Sequence, residues 1–200
     1  MLHDSQRDTS RVKALRQAFR TRMSDELSQL LKHLKFIDES GINLGFTRLF
    51  GRAEPGVRVY EATPDYSGPH YTVIAAIGLK GVLAPWVLEG AMDTAAFEAY
   101  VEHELAKTLQ RDDIVLLDNL SAHKSAQARL MVEACGARLV FLSPYSPDFN
   151  PIEQCWSKVK TALRAAKART FDALLDALAA ALRSVSPADV QAWFAHCGYA

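Results

Sequence analysis

The stretch "IVLLDNLSAHKSAQ", residues 114–127, decides how the rest of the chain is read. Ile114, Val115, Leu116 and Leu117 form an unbroken apolar run that stops at Asp118. Polar residues follow at once, among them Asn119, Ser121, His123 and Lys124. A short apolar run bounded by turn-forming residues reads as a strand buried on both faces. A carboxylate at the end of such a strand is costly unless something pairs with it. In open α/β sheets the strand ends are also where ligands gather. Asp118 is therefore a candidate functional group, and the question is what sits opposite it.

Working outward, "SAQARLMVEACG" has helical spacing and closes on Gly136. "RLVFLS" reads as the last strand. The loop "PYSPDFN" leads to helices over about 151–168, 170–184 and 187–197. Upstream, "TAAFEAYVEHELAKTL" (94–109) reads as a helix capped by Asp93 or Thr94. "YTVIAAIG" (71–78) and "VLAPWVLEG" (82–90) form a hairpin, with Pro85 marking an edge or a bulge. Residues 44–61 read as short strands broken by Gly45, Gly51, Pro55 and Gly56. "LKFIDES" reads as a strand stopping at Asp38, with Gly41 behind it. Val12, Leu15, Phe19, Met23, Leu27, Leu30, Leu31 and Leu34 predict one amphipathic helix over 10–34, capped by Ser10 and basic on its other side. Meander-like strands followed by strands alternating with helices predict a mixed α/β sheet covered on both faces.

The 200 residues suffice for one good-sized domain or one domain and an appendage. No signal peptide is evident, and the most apolar stretch, "ALLDALAAAL", is too short for a bilayer and carries Asp176. A cytoplasmic location is the expectation. Cys135, Cys155 and Cys197 form no CxxC pair and suggest neither a disulfide framework nor a zinc site. The formal net charge is +0, but the distribution is uneven. Residues 1–35 carry a balance of +4 and residues 119–170 one of +5, against −6 over 81–118. Such basic blocks matter more to a polyanion than the total does.

Three carboxylates fall at element ends: Asp38, Asp118, and Glu153 in the first turn of the helix after Pro151. Hard divalent cations take oxygen ligands of this kind. A two-metal site would activate water and stabilise the leaving oxygen of a phosphodiester. Each carboxylate also has a structural reading. Asp38 would cap a turn, Asp118 would cap a helix near Ser121, and "NPIE" matches a capping box from Asn150 to Glu153.

Together, "FIDESG", "LLDNLSAHK" and "YSPDFNPIEQCWSKVK" resemble the three catalytic segments of DDE transposases. The branch resembled is the bacterial insertion-sequence group allied to mariner elements, insertion-sequence family six-thirty. The 34 residues between Asp118 and Glu153 match the spacing of that superfamily. The resemblance runs from about residue 34 to 198. It implies an RNase H-like five-stranded sheet, as in retroviral integrases, over 34–200, preceded by a basic linker helix over 1–33. It further implies two Mg²⁺ or Mn²⁺ ions, with Asp38 bridging, Asp118 beside it and Glu153 completing the second site. Asn119, His123 and Asn150 would support the site. Other implications are DNA as partner, a TA target, a homodimer, and a separately encoded helix-turn-helix chain or a truncated element. A nuclease that does not join strands and a silent DNA-binding fragment are the alternative functions.

From Glu153 the helix brings Lys160, Arg164 and Lys167 within about 40° of one direction. That stripe, with Lys124, is the candidate DNA track. Arg11, Arg16, Arg20 and Arg22 compete for the role. Trp156 reads as core.

Overall fold

The computed structural model describes residues 5–199. Five strands form one sheet: β1 (Leu34–Asn43), β2 (His70–Gly78), β3 (Gly81–Glu89), β4 (Ile114–Leu117) and β5 (Arg138–Phe141). Their order is β3-β2-β1-β4-β5. The β1–β2 and β2–β3 pairs are antiparallel, and the β1–β4 and β4–β5 pairs are parallel. Parallel neighbours need long crossovers. One is supplied by the helix after the hairpin, Thr94–Tyr100, which runs on through a π-helical turn at Val101–Leu105. The other is the helix Ala126–Ala134. In chain order the helices are α1 (Ser10–Asp25), α2 (Thr94–Tyr100), α3 (Ala126–Ala134), α4 (Ile152–Ala166), α5 (Phe171–Arg183) and α6 (Pro187–His196).

The alternation of side chains along a strand assigns the two faces. On β1, Leu34, Phe36 and Ile42 point into a core shared with α1, α4, α5 and α6. Ile37 points into the other core, which α2 and α3 cover. Phe36 meets Phe194 and Tyr199 edge-on, with ring centroids 5.1 and 4.8 Å away. Parity therefore puts Asp38 on the α4 face and Glu39 on the α2 face. At the hairpin, Gly81 turns with φ +126°. Beside Pro85 the β2–β3 register shifts between Ile74 and Ala76, as expected of a bulged edge strand. Among the described residues, no helix is long and apolar enough to cross a membrane.

Several local expectations are corrected. The predicted helix over 10–34 ends at Asp25, and Leu27–His33 is a tighter 3₁₀ segment kinked at Leu30. Glu26 marks the break, held by Arg22 and by Arg138 at the start of β5. Thr9, not Ser10, caps α1, accepting from the Val12 amide. Asp38 does not end its strand, because β1 continues to Asn43 with Asp38 opposite Ala75. Residues 44–69 contain no strand, although 44–61 reads as short strands broken by glycines and a proline. Arg169 bonds the carbonyls of Leu44 and Phe46, so part of this segment is anchored by side chains rather than a ladder.

Candidate active site

Asp38, Asp118 and Glu153 line one cavity of about 630 Å³, together with Asn119, Lys124, Asn150 and Arg11. The sheet puts Asp38 on its central strand. Asp118 lies one residue beyond β4, on the parallel neighbour of β1. Glu153 stands in the first turn of α4.

The capping-box alternative for Glu153 is not formed. Pro151 begins α4 without a side-chain cap, and the Glu153 amide donates to the Asn150 carbonyl at 3.2 Å. The carboxylate of Glu153 is left facing the cavity. Ser121 does not cap α3 either; Ser125 does, accepting from the Ala128 amide. Trp156 is core, 2% exposed.

What sits opposite Asp118 is His123. Its Nδ1 lies 2.7 Å from Asp118 Oδ1, which also accepts from the Leu120 amide at 2.9 Å. The other ring nitrogen, Nε2, lies 3.2 Å from Glu39 Oε2. That contact is close enough for an ion pair but not aligned as a hydrogen bond. His123 thus bridges carboxylates that belong to opposite faces of the sheet, across the open end of β4. Burial works against charge on His123, but the two carboxylates outweigh it and push its pKa up to about 9. Burial likewise opposes the Asp118 charge, yet the His123 and Leu120 hydrogen bonds hold it below the ordinary carboxylate range.

Asp38 is in the reverse position. Burial first, and then the charges of Glu153, Glu39 and Asp118, raise its pKa well above the usual value. Glu153 is also raised, by burial and by Asp118 and Glu39, with Lys160 opposing. Asn150 is 3% exposed and its Oδ1 has no partner. Crowded carboxylates with no protein cation against Asp38, beside a buried unpaired amide oxygen, are the oxygen donor set that hard divalent cations take. Among the described residues no three His, Cys, Asp or Glu side chains make a ready-formed metal cluster. Mg²⁺ sites often have few protein ligands, the rest of the shell coming from substrate phosphates and water.

Asn119 turns its amide to the Leu142 carbonyl and so ties the end of β4 to the chain beyond β5. Lys124 and Arg11 stand at the cavity rim. The basic stripe divides. Lys160 acts on Glu153, Arg164 lies over the Phe46 ring at 5.2 Å, and Lys167 pairs with Glu61. Lys167 also leaves the helix, closing it at φ 53°. Of the competing block, Arg16 is buried rather than free for DNA.

Two participants escaped the sequence reading. Glu39 gave no signal beyond following Asp38. Asp148 lies inside the quoted "YSPDFNPIE" segment, but its partner Arg16 is 132 residues away in sequence.

A family model for the DDE superfamily endonucleases matches residues 33–175. The chain belongs to this family. No curated protein matches it. Among solved structures, the DDE endonuclease chain is similar to the catalytic domain of Mos1 mariner transposase, at TM-score 0.69 and 14% identity, covering 97% of this chain and 90% of that one. It is similar to the Mos1 strand transfer complex at 0.70 and 16%, covering 97% and 59%. A Mos1 paired end complex with Mg matches at 0.66 and 17%, covering 94% and 59%. The chain thus spans about three-fifths of the transposase in those complexes. The likeness supports the RNase H-like fold expected from the sequence.

Proposed function

We propose that this chain is the catalytic part of a transposase, cutting DNA and joining the cut end to a target. The observation that carries this is the convergence of Asp38, Asp118 and Glu153 on one cavity, where burial and then the neighbouring carboxylates raise the pKa of Asp38. Asp38, Asp118 and Glu153 would hold the divalent ions, two by this reading. Mg²⁺ or Mn²⁺ there would lower the pKa of a water and stabilise the departing oxygen.

The protein's own part is to orient. His123 and the Leu120 amide fix one oxygen of Asp118, a residue that lines the cavity. Arg11 and Lys124 at the rim suit the phosphates of an incoming strand. In the first step the oxygen of a water bonds to the phosphorus at the element end, the P–O3′ bond breaks, and a proton of that water ends on the departing 3′ oxygen. In the second, that hydroxyl attacks a target phosphodiester, so one P–O bond forms as another breaks. The insertion-sequence branch, a TA target, a homodimer and a cytoplasmic location accompany this reading. A helix-turn-helix module on a separate chain would read the element ends.

The test is a joining assay with pre-cleaved duplex ends, supercoiled target and Mg²⁺. The parent should join ends to target, while Asp118→Asn and Glu153→Gln should not. Nicking without joining would replace the proposal by a plain nuclease. Neither reaction, with no metal uptake, would replace it by a silent DNA-binding fragment.

A further inference from the structure

The loop that presents Glu153 is held from α1. Arg16 is only 5% exposed. Its guanidinium meets both carboxylate oxygens of Asp148, Nη1 to Oδ1 at 3.0 Å and Nη2 to Oδ2 at 2.7 Å. It also donates to the Tyr145 carbonyl at 3.4 Å and to Ser146 Oγ. Phe19, one helical turn on, stacks on Phe149 with centroids 5.4 Å apart, and Arg16 lies over the same ring at 4.5 Å. Arg7, just before α1, adds a contact to Asp148 at 3.1 Å. Within the loop, Tyr145 adopts the left-handed region at φ 52°, which a bulky residue keeps only when its surroundings impose it. The hydrogen bond on its carbonyl comes from Arg16. Four residues after Phe149 the chain reaches Glu153.

We propose that Arg16 is a positioning residue for the reaction: through Asp148 it fixes the 145–149 loop, and with it the placement of Glu153, so that α1 sets the geometry of the third carboxylate. The inference rests on the metal-binding reading of Glu153. A two-pronged guanidinium–carboxylate pair fixes direction as well as distance, which an ammonium does not. The same helix carries Arg11 to the cavity rim, so a strand lying there touches the element that holds the loop.

The alternative is that α1 only completes the core. Four variants of the intact chain separate the two: Arg16→Met, Arg16→Lys, Asp148→Asn, and Met23→Ala, which removes α1 core packing away from the loop. Amide exchange over residues 143–153 is followed in chelator, and Mn²⁺ affinity is followed by titration with the metal alone. Arg16→Met and Asp148→Asn should each speed exchange in the loop and weaken Mn²⁺ by about tenfold or more, the effect typical of residues that orient a metal ligand. Their double variant should do no more than either alone. Arg16→Lys should fail to restore the loop. Met23→Ala should lower the melting temperature and leave both readings unchanged. Should Arg16→Met not fold, Asp148→Asn alone carries the comparison. Unchanged loop exchange, or an equal loss from Met23→Ala, would overturn the proposal. If the parent takes up no Mn²⁺, the metal reading of Glu153 fails while loop exchange still decides the Arg16–Asp148 contact.

Discussion

Without metal, Asp118→Asn should weaken the protein and Asp38→Asn should strengthen it, although both remove a charge from one site. Asparagine at 118 keeps an oxygen for both the Leu120 amide and His123 Nδ1, so the change isolates the charge that Asp118 sets against His123. A hydrogen bond to a charged group contributes about 1.5–3 kcal/mol and a neutral one about 0.5–1.5, so about 1–1.5 kcal/mol is lost. For a chain of this size each kcal/mol is worth about 2–4 °C, so the melting temperature should fall by roughly 2–6 °C. Asp38 has no such partner, and its carboxylate is kept toward the neutral form by burial and three neighbours. Asparagine there removes a charge that opposes folding, and the melting temperature should rise.

The pH dependence follows from the two partners. Asp118 has a depressed pKa, so its contribution is present above the unfolded value of about 3.9 and is lost as pH falls. His123 is raised to about 9, so its contribution is complete below 6.5 and fades as pH rises through 9. The gap between parent and Asp118→Asn should be widest near pH 4–6.5 and narrow toward alkaline pH. Thermal melts in EDTA at pH 5.5, 7.5 and 9 measure it. An Asp118→Asn protein as stable as the parent at pH 5.5 would refute the assignment of His123 as its counter-charge.

Glu39→Gln should slow metal-dependent nicking by about 10–100-fold while leaving a folded protein, since groups behind a metal ligand typically matter by that much; a rate equal to the parent's would remove Glu39 from the site. In anisotropy titrations of duplex DNA against salt, Arg11→Gln with Lys124→Gln should flatten the log–log slope by up to about 2, at about 0.9 per phosphate. Lys167→Gln should leave that slope nearly unchanged, because Glu61 already pairs with Lys167; the reverse ranking would restore the helix stripe as the DNA track. Burial pushes the Cys155 thiol up to about 12 and the Cys197 thiol up to about 11. Alkylation at pH 8 should therefore label the partly exposed Cys135 first, and equal labelling of all three would contradict the packing of α4 and α6.

The sheet and its two helical layers were legible because their signals are periodic and local. Apolar runs at 71–78 and 114–117, the hairpin with Pro85, and the helices after Pro151 all carry them. The three carboxylates were legible through their quoted segments and the spacing of Asp118 from Glu153. What escaped was decided by contacts distant in sequence. Residues 27–31 keep a helical apolar pattern, yet Glu26 is drawn to Arg138 and the helix stops. Residues 44–61 read as short broken strands but have no ladder partner in the described fold. Asp38 reads as a strand end from Gly41 behind it, but pairing with β2 carries the strand on to Asn43. Neither the Glu39–His123 contact nor the Arg16–Asp148 pair has any signature in spacing alone.

The two-residue repeat of β1 also decides which kinds of genetic change the site survives. Asp38 and Glu39 are adjacent in the chain yet serve opposite faces, so sliding the strand by one residue exchanges an Asp for a Glu in the cavity and turns Phe36 and Ile42 out of their core. A single-residue insertion or deletion within 34–43 is thus a total loss, however mild the residue involved. In a scan of such length changes, tolerance should concentrate in 44–69, where no ladder keeps count. Point substitutions along β1 would grade by size and charge, while its frame admits only one answer.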